Sequence, residues 1–486
     1  MAQKKFWSDL LFVQGLNVLI KAVWILLIDR AVQDLLPKED YGVYYQLLSL
    51  SILFVIVLDF GLNNMNSKEV ATNQGYFFSN FKVFFGAKLL LSLLYLFALW
   101  VASSLMHLSQ MQLTILGALA LFQIINSLNQ YLRSNLAAMH LFKLDGSLAV
   151  ADRLLVIIIC IFWLYVPGFE QYLTIKNFVF VQLTGVVLTF ALAFGINIFK
   201  RKKISERARK ANVFSLVRKS LPYALLITLM AIFTRVDAVM IGEMLGDGET
   251  DRYAMCYRLI DAGNMIAALF SGMLLPMFAR IIFNPKEVES LASIAVKVLI
   301  IPALLGAIIF SPHAHEILSV MYPNKVSIIS SDTFVVLMFS FVSSASVFVF
   351  GTLLTAANTM KILNYVALVS ASLNIILNWV MIPIYGIFGA GLATLITQSV
   401  FALGCLMYSY KKFQFHVNQR LTLKIVGILG VFCLLFFGSL QFLENSFVHM
   451  SFGVSLSVLL VVGSGIISSN TLKNLSRRKT HKASDN

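Results

Sequence analysis

Apolar runs of about twenty residues follow one another along most of the chain, and this constrains the fold more than any other feature. About twenty residues wound as a helix match the ~30 Å hydrocarbon core of a bilayer. A helix also satisfies its backbone polar groups within one segment, which a spanning element in lipid must do. Charged residues make up 13% of the chain, against about 25% in soluble domains, and the mean hydropathy is +0.83. The expected fold class is therefore all-α, a polytopic membrane protein. Fourteen spans are predicted, at about 7–29, 43–63, 81–106, 111–135, 147–167, 174–198, 218–245, 252–278, 289–311, 332–356, 361–383, 386–410, 421–442 and 449–468. The fourth has room to extend to Leu141. The first run, from Trp7 behind Lys4 and Lys5, is too long for a secretory leader and reads as a permanent span ending at Asp29 and Arg30. Cys160, Cys256, Cys405 and Cys433 are scattered without metal-ligand or disulfide spacing, and read as small packing residues.

The net charge of +15 does not point to nucleic acid, because the cations sit in loops. With a cytoplasmic N-terminus, the predicted cytoplasmic segments hold 27 Lys and Arg and the external ones 5. That bias places both ends in the cytoplasm and requires an even number of spans. The external loops lean acidic, with Asp34, Glu39 and Asp40 after span one and Asp247, Glu249 and Asp251 after span seven. KRKKISERARK, 200–210, reads as a topology anchor against anionic headgroups.

That linker splits the first twelve spans into two sets of six. The loop after span one (DLLPKEDYGVYY, 34–45) resembles the loop after span seven (EMLGDGETDRYAM, 243–255). At one constant offset Asp34 falls on Glu243, Leu36 on Leu245 and Tyr44 on Tyr253. An even number of spans per half gives both halves one orientation, a common transporter plan.

Charges inside the spans are the candidate functional residues: Lys21, Asp59, Lys88, Asp152, Arg153, Arg235, Asp237, Arg258, Asp261 and Lys297. A central charge costs about 2.5–3.5 kcal/mol on insertion scales and normally faces a bundle interior or water. Lys88, Asp152, Arg153 and Lys297 lie near a cytoplasmic end and are expected to snorkel. Lys21 and Arg235 are too deep for that and are expected to line a cavity. Arg258 and Asp261, three apart on one face, are expected to pair. Arg235 and Asp237, in FTRVDAVMIG (233–242), are two apart, so each needs a partner elsewhere. The amides Gln14, Asn17, Gln123, Asn126, Asn129, Gln130, Asn374 and Asn378 read equally as interhelical hydrogen-bond partners or substrate contacts. Asn126, Asn129 and Gln130 share one face by spacing. No P-loop, HExxH or GxSxG is present. His313, His315 and Glu316 in SPHAHEIL read as loop residues rather than metal ligands.

Three stretches carry a family resemblance. They are LLPKEDYGVYYQLLSL (35–50) with LDFGLN (58–63), RVDAVMIGEMLGDGETDRYAMCYRL (235–259), and YGIFGAGLATLITQ (385–398). Over about residues 7–410 the chain resembles the oligosaccharide flippases, of O-antigen or capsule type, within the multidrug/oligosaccharidyl-lipid/polysaccharide exporter superfamily. The resemblance implies two six-helix bundles around a central cavity (1–199 and 218–410), joined by the linker 200–217. Two further helices (411–468) and a basic tail (469–486) follow. It also implies alternating access in a bacterial cytoplasmic membrane, no cofactor and no catalytic residue. The implied substrate is an oligosaccharide joined through pyrophosphate to a polyprenyl lipid, with polysaccharide assembly proteins as further partners.

On that reading Lys21, Arg235, Arg258 and Arg153, with Asn126 and Gln130, bind the anionic headgroup. Asp237, Asp261 and Asp59 serve ion coupling or gating, with a proton or a sodium ion as the candidate coupling ion. Gly386, Gly389, Ala390 and Ala393 allow close helix approach. One rival is a multidrug or organic-cation antiporter, which needs acidic rather than basic deep residues. Another is a membrane glycan polymerase or ligase, which would be expected to place reactive groups in a long external loop. The longest such loop here is about 312–331.

Overall fold

The computed structural model describes residues 15–464 except 16, 18, 74, 140, 202–212, 417 and 418. The start of the first span, Gln14, most of the basic linker and the basic tail lie outside the described residues.

Every regular element among the described residues is helical. Helix α1 covers 19–35 and contains a π-helical segment, Trp24–Asp29, before its last turns, Arg30–Leu35. There follow α2 (Lys38–Leu53), α3 (Leu62–Thr72), α4 (Gly75–Leu105), α5 (Gln110–Ala138), α6 (Phe142–Tyr165) and α7 (Ile175–Arg201). After the linker come α8 (Val213–Leu245) and α9 (Asp247–Ile281). Helix α10 runs from Pro285–Ala295 through a π segment, Val296–Ile300, into Ile301–Phe310. The chain ends with α11 (Ala314–Met321), α12 (Ile328–Ala356), α13 (Met360–Phe413), α14 (Gln419–Ser439) and α15 (Ser446–Gly463).

Ten described helices are long and apolar enough to cross a membrane. Helix α13 is two helices joined at Gly386, whose φ of 62° and ψ of −142° are not helical. Dividing it there, and adding α1, α2 and α14, gives the fourteen spans the sequence predicts.

Three local expectations change. Span two is not one helix over 43–63: after α2 the chain passes through a 3-10 turn, Val55–Leu58, and then Phe60 and Gly61, both at positive φ. A Cβ on Gly61 would stand 2.7 Å from the Ser220 side chain, so glycine serves both the turn and the close approach. The 312–331 loop contains a helix, α11. Gly386 has nothing within 4 Å of its Cβ position, so it makes a turn rather than a close helix contact. Gly389 does serve close approach, because its Cβ would lie 2.3 Å from the Met381 carbonyl oxygen.

The chain divides into two compact units, one of residues 1–262 with 367–390, the other of 263–366 with 391–486. Within the first, Tyr76, Phe77, Phe84 and Tyr131 form an aromatic core with Leu132 and Leu136. Its α4 turns Leu90, Leu93 and Trp100 outward, the pattern of a helix facing lipid. Within the second unit, Phe432, Phe436 and Met450 pack on Ile301, Leu305 and Ile309.

Candidate functional site

The first unit holds three polar clusters, and together they take in all nine of the singled-out charges in or near its spans. In the first, the i, i+4 spacing of Asp29 and Gln33 puts both on one face of α1. Arg258 of α9 donates to the Asp29 carboxylate and to Gln33 Oε1. It also donates to the Tyr41 hydroxyl at 2.6 Å, and Tyr41 in turn donates to Asp29 Oδ1 at 3.0 Å. Gln33 Nε2 donates to the carbonyl oxygen and to Oδ1 of Asp251, at 3.0 and 2.8 Å. Both Arg258 and Asp29 are buried. Charge-assisted bonds among so many satisfied partners are strong, and desolvation makes them intolerant of losing one member. Close by, Gln46 Nε2 donates to Glu243 Oε1 at 2.9 Å. A Cβ on Gly42 would overlap the Asp247 carbonyl at 1.7 Å, so α2 and the first residue of α9 meet backbone to backbone.

The second cluster answers why an arginine and an aspartate lie two apart in FTRVDAVMIG. Arg235 Nη2 donates to Asp261 Oδ1 at 3.0 Å, and Nη1 to the Tyr45 hydroxyl at 3.3 Å. Its guanidinium stands 5.9 Å from the Tyr257 ring centre. Asp237, 1% exposed, accepts from Tyr253 at 2.9 Å and from Asn378 Nδ2 at 2.6 Å. The expected Arg258–Asp261 pair within one helix is not formed. Asp29 and Arg235, reached from other helices, offer more enclosed geometry, and each takes one partner.

The third cluster contains the cations of the first half. Lys88 does not snorkel. It is 1% exposed and donates to Asp59 Oδ1 at 2.8 Å, Ser127 Oγ at 2.9 Å and the Leu58 carbonyl at 3.2 Å. It thereby fixes the turn after α2. Arg153 lies 4.9 Å from the Trp24 ring centre and 5.8 Å from that of Phe122, and donates to Gln182 Oε1 at 3.4 Å. Its nearest carboxylate, Asp152, is 3.8 Å away. Lys21 is exposed and forms no salt bridge among the described residues. Arg153 and Arg133 repel its charge and Asp152 attracts it. Arg133 pairs with Asp145 at 2.9 Å. Asn126 is half-buried and Gln130 exposed on α5, while Asn129 is buried.

The sequence reading did not single out Asp29, Gln33 or Tyr41, nor Arg133, Trp24 or Gln182. A usable signal was the i, i+4 pair of polar residues at the end of α1.

In the second unit His313 is buried, and its Nε2 lies 2.7 Å from His449 Nδ1. His449 Nε2 lies 3.0 Å from the Phe436 carbonyl and 2.9 Å from Ser439 Oγ. Lys297 is half-buried in the π segment of α10.

Comparison with known proteins decides the family. The family described as polysaccharide biosynthesis protein matches residues 4–282, more than half of the chain. The chain belongs to the polysaccharide biosynthesis protein family. No curated protein matches it. Among solved structures it is similar to the lipid II flippase MurJ in an inward closed conformation, with TM-score 0.63 and 15% identity over 98% of this chain and 99% of that one. It is also similar to an inward-facing multidrug resistance MATE family transporter of the MOP superfamily, with TM-score 0.58 and 15% identity over 81% and 94%. A MOP superfamily transporter from Pyrococcus furiosus gives TM-score 0.56 and 12% identity over 84% and 93%. At such identities these likenesses establish a shared fold. This member of the polysaccharide biosynthesis family is thus a multi-pass, all-α membrane protein that shares its fold with those transporters.

Proposed function

We propose that this chain is a flippase. It carries a polyprenyl-pyrophosphate-linked oligosaccharide, of the kind that feeds an O-antigen or capsule, from the cytoplasmic to the outer leaflet of a bacterial cytoplasmic membrane. The observation that carries the reading is the unequal pairing of the deep cations. Arg258, Arg235 and Lys88 each hold a carboxylate at salt-bridge distance. Lys21 has no such partner among the described residues, and Arg153 has only Asp152 at 3.8 Å. An anionic pyrophosphate crossing ~30 Å of hydrocarbon needs fixed cations to lower its barrier. Lys21 and Arg153, with Arg133 beside them and Asn126 and Gln130 on α5, supply that charge.

Alternating access then assigns the paired clusters. The Arg258–Asp29 cluster ties α9 to α1 and acts as the outward closure, whose opening frees Arg258 to meet the headgroup. The Arg235–Asp261 pair and Asp237 are the sites for ion coupling, by proton or sodium. Asp59 is held by Lys88 and acts by fixing the turn after α2. The repeat of the two turn regions, at 34–45 and 243–255, supports two six-helix halves that rock against each other. The weak pairing of Lys21 and Arg153 argues against a carrier of cationic drugs.

The deciding experiment deletes the gene in its own host and extracts polyprenyl-linked sugars. Accumulation of one lipid-linked oligosaccharide on the cytoplasmic side, with loss of a surface polymer, is expected. An unchanged lipid-linked pool together with retention of cationic dyes would overturn the reading in favour of a drug exporter.

A further inference from the structure

Helix α1 bears one contact at each end of its π segment. Trp24, the first π residue, is buried, stacks on Phe178 at 5.7 Å with an interplanar angle of 5°, and lies under Arg153. Asp29, the last π residue, holds Arg258 and Tyr41. The segment reads WILLID and contains neither proline nor glycine, so nothing local in the sequence breaks the α geometry. A π turn carries one residue more than an α turn and occurs mostly as a single bulge inside α-helices, often at functional sites. Relaxing it to α at fixed sequence changes the register of one end against the other by one residue, about 100° and ~1.5 Å. An all-α α1 therefore cannot keep Trp24 under Arg153 and Asp29 on Arg258 together. The π turn persists because both anchors hold.

We propose that the Trp24–Asp29 π turn is a register switch, and that Trp24 is the positioning residue that ties the Lys21–Arg153 cation site to the Asp29–Arg258 closure. The inference rests on the flippase reading for its ligand, but not for its structural content. An anion shared by Lys21 and Arg153 steadies the Trp24 end. The π turn then relaxes at the other end, Asp29 rotates off Arg258, and the closure opens. Linkage makes this reciprocal, so closing at Asp29 weakens anion binding at Lys21 and Arg153. The two states differ in one discrete element, as a coupling mechanism requires.

The test uses the full-length protein in nanodiscs. Spin labels go on cysteines introduced at Leu19 and Leu35, both exposed and on either side of the π turn. The native register should give one inter-label distance. Arg258→Gln, which breaks the closure, should populate a second. Deleting Leu26 removes the extra residue and should leave α1 regular with both contacts kept, so that Arg258→Gln no longer adds the second distance. A single unchanged distance on Arg258→Gln in the native register overturns the switch, and that comparison decides alone if the Leu26 deletion does not fold. Adding polyprenyl pyrophosphate should populate the second distance in the native register. In the Leu26 deletion it should bind without doing so, and in Trp24→Ala, which frees one anchor, the second distance should be present already and not respond to it. A response retained in those variants overturns the coupling. Failure of the native chain to bind polyprenyl pyrophosphate would instead count against the flippase reading, while the Arg258→Gln comparison still decides the switch.

Discussion

At the scale of single residues, burial and pairing sort the charges into those that hold the fold and those free to act. Lys21 is exposed and has no salt bridge to lose among the described residues. Lys21→Glu is expected to leave the thermal midpoint in detergent unchanged. It should cut transport of lipid-linked oligosaccharide by about tenfold or more, because a charge pair at ~4 Å is worth about 4 kcal/mol at an effective dielectric of ~20. Transport at the native rate would remove Lys21 from the substrate path. Asp29→Asn is the opposite case. It strands the buried Arg258, and removal of one partner from such a pair costs about 3–5 kcal/mol. Joining it to Arg258→Gln should destabilise less than the sum of the two single changes, as a double-mutant cycle of unfolding free energies would measure. The charges themselves were legible in the sequence, because an ionised group in an apolar run is rare on any count. Their partners were not. Asp29 and Arg258 stand far apart in the chain, and local spacing favoured the nearer Asp261, which Arg235 holds instead.

At the scale of elements, hydrophobic length located nearly every helix, since lipid leaves the backbone no alternative. What it missed were interruptions that depend on distant groups. The break after α2 exists because Lys88, from α4, caps the Leu58 carbonyl and pairs with Asp59, and no feature within 43–63 announces that contact. The junction in α13 was legible as a short gap, but its cause is the backbone of Gly386. Gly386→Ala is expected to cost about 1–3 kcal/mol through the strained φ alone, since its Cβ meets no neighbour. A thermal midpoint equal to the native one would refute that. Docking of the last two helices has its own polar fastening. The Phe436 carbonyl only accepts, so His449 carries its proton on Nε2 and receives one from His313 Nε2 at Nδ1. His449→Leu keeps the apolar bulk but leaves the buried His313 ring nitrogen unpaired, at about 1–3 kcal/mol, while the Phe436 carbonyl keeps the Ser439 hydroxyl. Faster proteolysis in 440–445, between α14 and α15, is the expected readout.

At the scale of the whole molecule, the orientation proposed from the loop charges gives the Asp29–Arg258 cluster its meaning. With the N-terminus in the cytoplasm, α1 runs outward, so Asp29 lies toward the external side and Lys21 deeper. Arg258 lies eleven residues into α9, about 16 Å from its external start. On the proposed reading, pairing there closes the outer route while leaving Lys21 to be approached from the cytoplasm, where the lipid-linked substrate is made. The prediction is directional. A cysteine at Lys21 should react with a membrane-impermeant maleimide in inverted vesicles but not in intact cells. Adding Asp29→Asn should make it reactive from outside, because Arg258 then holds α1 only through Gln33, without the ion pair. Labelling from outside in the intact pair would place the closure elsewhere. Protection from both sides would mean that Lys21 faces lipid, and the anion site would then have to be sought around Arg235 and Arg258 alone.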